Sequence, residues 1–169
     1  MKWLMGTRLY LALVAMSVAL TLVGPAAAEL ICPVADQKGI PFHGPIQGAE
    51  ADVVTFPTVS VNGSGAGVAT HLGAFTVTWQ VTVDITTNPS PSTGAFEFTA
   101  ANRDQLFTDI VGEGTGTSIA HITECATITG GTGRFADATG AFTIHRVVDL
   151  ATGSTSGAFG GAIVMNKGK

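Results

Sequence analysis

From residue 73 onward the chain alternates apolar and polar side chains with a period of two. In 73–85, Phe75, Val77, Trp79, Val81 and Val83 share one face, and Thr76, Thr78, Gln80, Thr82 and Asp84 share the other. This predicts a strand with one dry and one wet face. Weaker versions of the pattern recur at 93–100, 105–114, 118–129, 140–150 and 157–165. Upstream, 42–49 and 53–61 read as extended, and 65–72 reads as a lead into the strand at 73. No stretch after residue 28 sustains a helical apolar period, and glycine-rich breaks punctuate the strands. The expected fold is all-β, a closed antiparallel barrel of about eight strands over residues 42–169, with short connections between neighbours. The Pro- and Ser-containing segment 88–92 reads as a hairpin loop.

The first 28 residues have a different character. Lys2 and Arg8 precede an apolar run over 9–23, Gly24-Pro25 breaks it, and Ala26-Ala27-Ala28 supplies small residues for cleavage. That is the anatomy of a secretory signal peptide, and the run is shorter than the ~20 residues a membrane-spanning helix needs. The expected mature chain starts at residue 29, with an arm over 29–41, no membrane anchor, and a secreted or periplasmic location. Removing the leader takes away two of the 8 basic residues and none of the 12 acidic ones, so the mature formal charge is 6 − 12 = −6. A nucleic-acid partner is not expected of a surface with that sign.

Cys32 and Cys125 are the 2 cysteines. After a secretory leader, a disulfide between them is the expected state. There is no CxxC, and His43, His71, His121 and His145 lack tight ligand spacing. Neither a metal nor a cofactor is expected.

The stretch Ile128-Thr129-Gly130-Gly131-Thr132-Gly133-Arg134-Phe135-Ala136-Asp137-Ala138-Thr139-Gly140 resembles the GGTG-x-F-x-x-A-x-G segment of the allene oxide cyclase and dirigent group of β-barrels. Thr70-His71-Leu72-Gly73, Phe98-Thr99-Ala100-Ala101-Asn102 and residues 130–142 are also similar to secreted bacterial proteins with that barrel-like domain. The second likeness covers most of 42–164. It implies an eight-stranded antiparallel barrel with an apolar cavity, and homo-oligomers. Some members of the group cyclise a fatty-acid epoxide, and others steer the coupling of phenolic radicals. The active-site residues of the two plant families do not match here residue by residue, so the resemblance implies a fold and not a reaction. Gly130–Gly133 lacks the Gly-Lys-Ser/Thr ending of a phosphate loop and precedes a strand, so it reads as a tight connection.

The most informative pair is Glu124 and Arg146. If strands 118–129 and 140–150 form a hairpin centred on residue 135, Ile128 faces Phe142, Ala126 faces Ile144, Ile122 faces Val148, and Glu124 faces Arg146. Any even register keeps both charges on the apolar face. Inward charges are costly unless they pair. Two roles stay open: a structural ion pair, or a polar anchor in which Arg146, oriented by Glu124, meets a ligand carboxylate or enolate oxygen. The same register puts Cys125 on the outside beside His145. The hairpin at Asn102-Arg103 also stays open, since a two-residue turn places Asp109 inward and a three-residue loop places it outward.

These readings converge on a small apolar ligand held inside the barrel, with Trp79, Phe96, Phe98, Glu124 and Arg146 as its expected surroundings. A cofactor-free cyclase or isomerase using the same cavity is the alternative, and a non-catalytic structural or assembly module is the third.

Overall fold

A computed structural model of the chain describes Leu30, Cys32 and residues 39–165. The signal peptide expected over 1–28 lies outside the described residues. Eight strands follow one another in chain order: β1 (Ile40–Thr55), β2 (Thr58–Ala69), β3 (Gly73–Asp84), β4 (Ser90–Ala100), β5 (Gln105–Thr115), β6 (Ile119–Gly131), β7 (Thr139–Asp149) and β8 (Ser154–Val164). Each is antiparallel to the next, and β8 returns to pair with β1. The all-β, closed antiparallel barrel is therefore observed. Closure leaves no free edge along the wall.

The structure corrects the expectation upstream of residue 73. Residues 53–61 are not one extended segment. β1 runs unbroken to Thr55, the chain reverses at Phe56-Pro57, and Thr55 pairs with Thr58. Proline, with no backbone N–H to give a ladder, suits that corner. β2 then runs on to Ala69, and a turn through His71 leads into β3. His71 is exposed in that turn.

The hairpin at Asn102-Arg103 resolves to a three-residue loop. Arg103 adopts φ 71°, and the Ala100 N–H donates to the Asp104 carbonyl at 2.9 Å. Phe98 therefore pairs with Leu106, and Asp109 points outward.

The β6–β7 hairpin is offset by two from the expected register. Ile128 pairs with Gly140 and Ala126 with Phe142, so Glu124 lies opposite Ile144 and Arg146 opposite Ile122. Cys125 pairs with Thr143, and His145 with Thr123. The cause lies in the connection. A single 3₁₀ turn, Gly133–Phe135, folds inward and buries the Phe135 ring completely, and the β5–β6 ladder shifts register between Phe107 and Thr108. The loop is thus not symmetric about Phe135. Its even offset leaves every inward residue inward.

The barrel interior has two unlike halves. Towards the end carrying the His71 and Phe135 turns it is filled. Phe42, Phe142 and Phe159 sit with ring centroids 5.1–5.3 Å apart, Phe75 and Phe98 join them, and Leu72 and Phe135 are buried at that end. Rings this large fit because the next strand often carries glycine. A Cβ on Gly63 would lie 2.0 Å from the Trp79 indole, so Trp79 occupies the space a Gly63 side chain would need. Such large–small alternation packs a small barrel without strain.

Candidate functional site

Period-two alternation carries β1 inward at Phe42, Gly44 and Ile46, and the same parity brings Glu50 and Asp52 inward. Glu50 joins Glu124 of β6 and Arg146 of β7 near the middle of the barrel. Arg146 Nε donates to Glu124 Oε2 and Nη2 to Glu124 Oε1, each at 3.0 Å, and Nη1 donates to Glu50 Oε2 at 2.5 Å. The three side chains are almost fully shielded from solvent, at 3%, 0% and 2% exposure for Glu50, Glu124 and Arg146. Two neighbouring glycines make room. A Cβ on Gly157 would collide with Arg146, and one on Gly112 with Glu124.

Trp79 supports this cluster from below. Its Nε1–H donates to Glu50 Oε2 at 3.1 Å, its ring stacks on Phe96 at 5.4 Å, and the guanidinium lies 5.3 Å from the Trp79 centroid and 5.8 Å from that of Phe96. Burial alone disfavours the charged guanidinium. The hydrogen bonds to Glu124 and the charge of both carboxylates outweigh it and hold the Arg146 pKa above its ordinary value.

Beyond the cluster the barrel is open. A cavity of about 310 Å³ extends from Glu50, Glu124 and Arg146 towards the end formed by residues 56–57, 85–89, 116–118 and 150–153. Val59, Val61, Val81, Val83 and Ile122 wall it, and at this end the inward positions of β5 are Gly112 and Gly114, with Gly116 just past the strand. Glycine at these positions leaves room that a larger side chain would fill, with Thr115 at the border of the space. Ser92 borders the cavity, and its Oγ is buried with no hydrogen-bond partner among the described residues. A wider depression of about 390 Å³ lies across β2 to β6 but involves outward residues such as Asn62, Gln80, Glu97 and Asp109.

Asp52 stands between the buried cluster and the mouth. Partial burial raises its pKa above the usual 3.8, and Glu50 raises it further, against the opposing pull of Arg146. In the interval from about pH 4 up to the raised value, the folded chain keeps a proton that the unfolded chain has lost. Stability is therefore present below that interval and falls as pH rises through it. Asp52→Asn should match the parent at pH 3 and be more stable at pH 7, by less than about 1 kcal/mol because solvent screens an exposed charge. Urea melts at the two pH values test this, and a variant less stable than the parent at pH 7 contradicts it.

The expected ligand surroundings divide. Glu124 and Arg146 are in contact and line the cavity. Trp79 and Phe96 lie beneath the cluster, and Phe98 belongs to the aromatic half; none of these three lines the cavity. The three rings stack on one another, Trp79 on Phe96 and Phe96 on Phe98, and Trp79 and Phe96 border the depression across β2 to β6. Glu50, Asp52 and Ser92 were not anticipated. The signal for Glu50 was parity with Phe42 and Ile46.

Cys125 points outward, is buried, and is joined to Cys32 across 93 positions of sequence, with Cα atoms 5.0 Å apart. His145 lies on the outer face and meets Thr123 Oγ1 through Nδ1 at 3.2 Å. Among the described residues no group of three or more His, Cys, Asp or Glu side chains is placed to hold a metal ion, and no helix is long and apolar enough to cross a membrane.

No family model, curated protein or solved structure matches the chain. Its chemistry must therefore be read from the barrel itself.

Proposed function

We propose that the protein is a secreted or periplasmic barrel that holds a small, largely apolar molecule in the open half of its interior. The observation that carries this is the cavity of about 310 Å³ walled by valines and floored by a charged cluster. Apolar walls with a few convergent polar groups are the usual makeup of a small-molecule site. An interior serving only as packing would be filled, as the aromatic half is. The Cys32–Cys125 bond fits an oxidising compartment, in keeping with the leader read from residues 1–28. The barrel also agrees with the fold implied by the likeness to the allene oxide cyclase and dirigent group. A cofactor-free cyclase or isomerase is the second reading. It is favoured by the buried Glu50–Arg146–Glu124 cluster at the cavity floor, since fixed charges in a dry site can stabilise charge that develops during a reaction.

Gly114 provides the test. A Cβ there would meet Ile122 Cγ1 at 3.6 Å and the His121 carbonyl at 3.9 Å, both ordinary contacts. Gly114→Leu should therefore fold and project into the cavity. The neutral fluorophore N-phenyl-1-naphthylamine should bind the parent with enhanced emission and bind Gly114→Leu at least about tenfold more weakly, a loss of about 1.4 kcal/mol. Circular dichroism of the variant should be unchanged. Absence of probe binding, or equal binding by parent and variant, would remove the basis for this function.

A further inference from the structure

We infer that the molecule held in this cavity is an amphiphilic amine, with a cationic, hydrogen-bond-donating head against the charged floor and an apolar tail towards the mouth. The inference rests on the reading of the cavity as a binding site and specifies which chemistry it takes.

The first argument is charge. Glu50, Glu124 and Arg146 together carry a formal −1, and Asp52 at the same wall makes it −2. Among the described residues Arg146 is the one basic side chain lining the cavity. An ammonium head brings the floor closer to neutrality, whereas a carboxylate head adds to an existing excess of the same sign in a site of low dielectric, where like charges repel strongly.

The second argument is the state of Arg146. Three of its five N–H groups already donate to the two carboxylates, and its cation lies near the rings of Trp79 and Phe96. It is committed to the protein. The earlier expectation that Arg146 meets a ligand carboxylate or enolate oxygen is therefore not the arrangement proposed.

A third, independent observation comes from Ser92. Its hydroxyl is buried beside the cavity with no partner among the described residues. Buried polar groups are rarely left so, and each such exception asks for a partner from outside. The Oγ lies near the Glu124 side chain: a Cβ built on Gly112 would lie 2.8 Å both from Ser92 Oγ and from Glu124 Cγ. Towards the mouth, Val54 and Ile85 line the cavity and remain solvent-exposed, and Phe56 in the adjoining turn is 77% exposed. This apolar rim suits a tail longer than the cavity.

The test uses three probes with the same tail: octylamine, octan-1-ol and octanoate. Each competes with N-phenyl-1-naphthylamine at neutral pH, where the amine is a cation and octanoate an anion. Octylamine should bind at least tenfold more tightly than octanol, and octanoate more weakly than octanol. Gly114→Leu should weaken octylamine at least tenfold. Asp52→Asn, altered at an exposed position and expected to fold, should reduce the preference for amine over alcohol threefold or more while leaving octanol within twofold.

Equal binding of all three probes, or tightest binding of octanoate, overturns the amine head and leaves the cavity reading standing. Octylamine that binds Gly114→Leu as well as the parent is adsorbing at the rim, which also overturns the inference. If none of the three competes and the fluorophore itself does not bind, the cavity reading fails with it.

Discussion

Arg146→Ala should destabilise the barrel by roughly 3–5 kcal/mol, the range for removing one partner of a buried ion pair. The substitution leaves two buried carboxylates, Glu50 and Glu124, without the cation that serves both. Their mutual repulsion places the expectation towards the upper end. The cost should come from stranded charge and not from the net worth of the pair. A triple variant, Glu50→Gln with Glu124→Leu and Arg146→Met, should therefore lose less stability than Arg146→Ala alone. Glutamine at position 50 keeps an acceptor for the Trp79 indole N–H, which now donates to Glu50. Denaturant melts of both variants decide the matter. A single-variant loss below about 0.5 kcal/mol, typical of an exposed site, is incompatible with the burial described here.

Breaking the Cys32–Cys125 bond should cost about 4–5 kcal/mol in the chain-entropy account, because it releases a loop of sequence separation 93 in the unfolded state. Cys32→Ser is the cleaner variant, since it leaves the thiol at 125 in its buried strand position. Its denaturation midpoint should match that of the parent melted in reductant. Intact-mass measurement should show no alkylation until the protein is reduced. Two thiols modified without reduction, or melts of oxidised and reduced protein that coincide, would show that the bond does not tie the chain.

The strands were legible wherever side-chain parity alone decides them. Phe75 to Val83 alternate without a break, and the inward placement of Glu124 and Arg146 follows from parity whatever the register. The register itself was not legible. It depends on Phe135 turning into the barrel as a plug, and nothing local distinguishes that from a loop folded over the rim. Glu50 was missed because Ala49-Glu50-Ala51-Asp52 holds no large apolar residue, so the segment read as a break when it is the continuation of β1. The division of the interior was hidden for a related reason. Glycine looks the same in sequence whether a neighbour fills its space, as Trp79 does at Gly63, or leaves it open, as at Gly114. Which occurs depends on side chains from other strands.

The glycines at the open end of β5 also determine how the protein can change. The hydrogen bonds that close the barrel run through the main chain and are indifferent to which side chain hangs inside. Position 114 can therefore lengthen from glycine to valine or leucine without touching the ladder to β4 or β6. Each step fills more of the open half, while the aromatic half goes on supplying rigidity. The molecule is in this sense an adjustable gauge, in which one strand sets the size of the space inside at little cost to the wall around it.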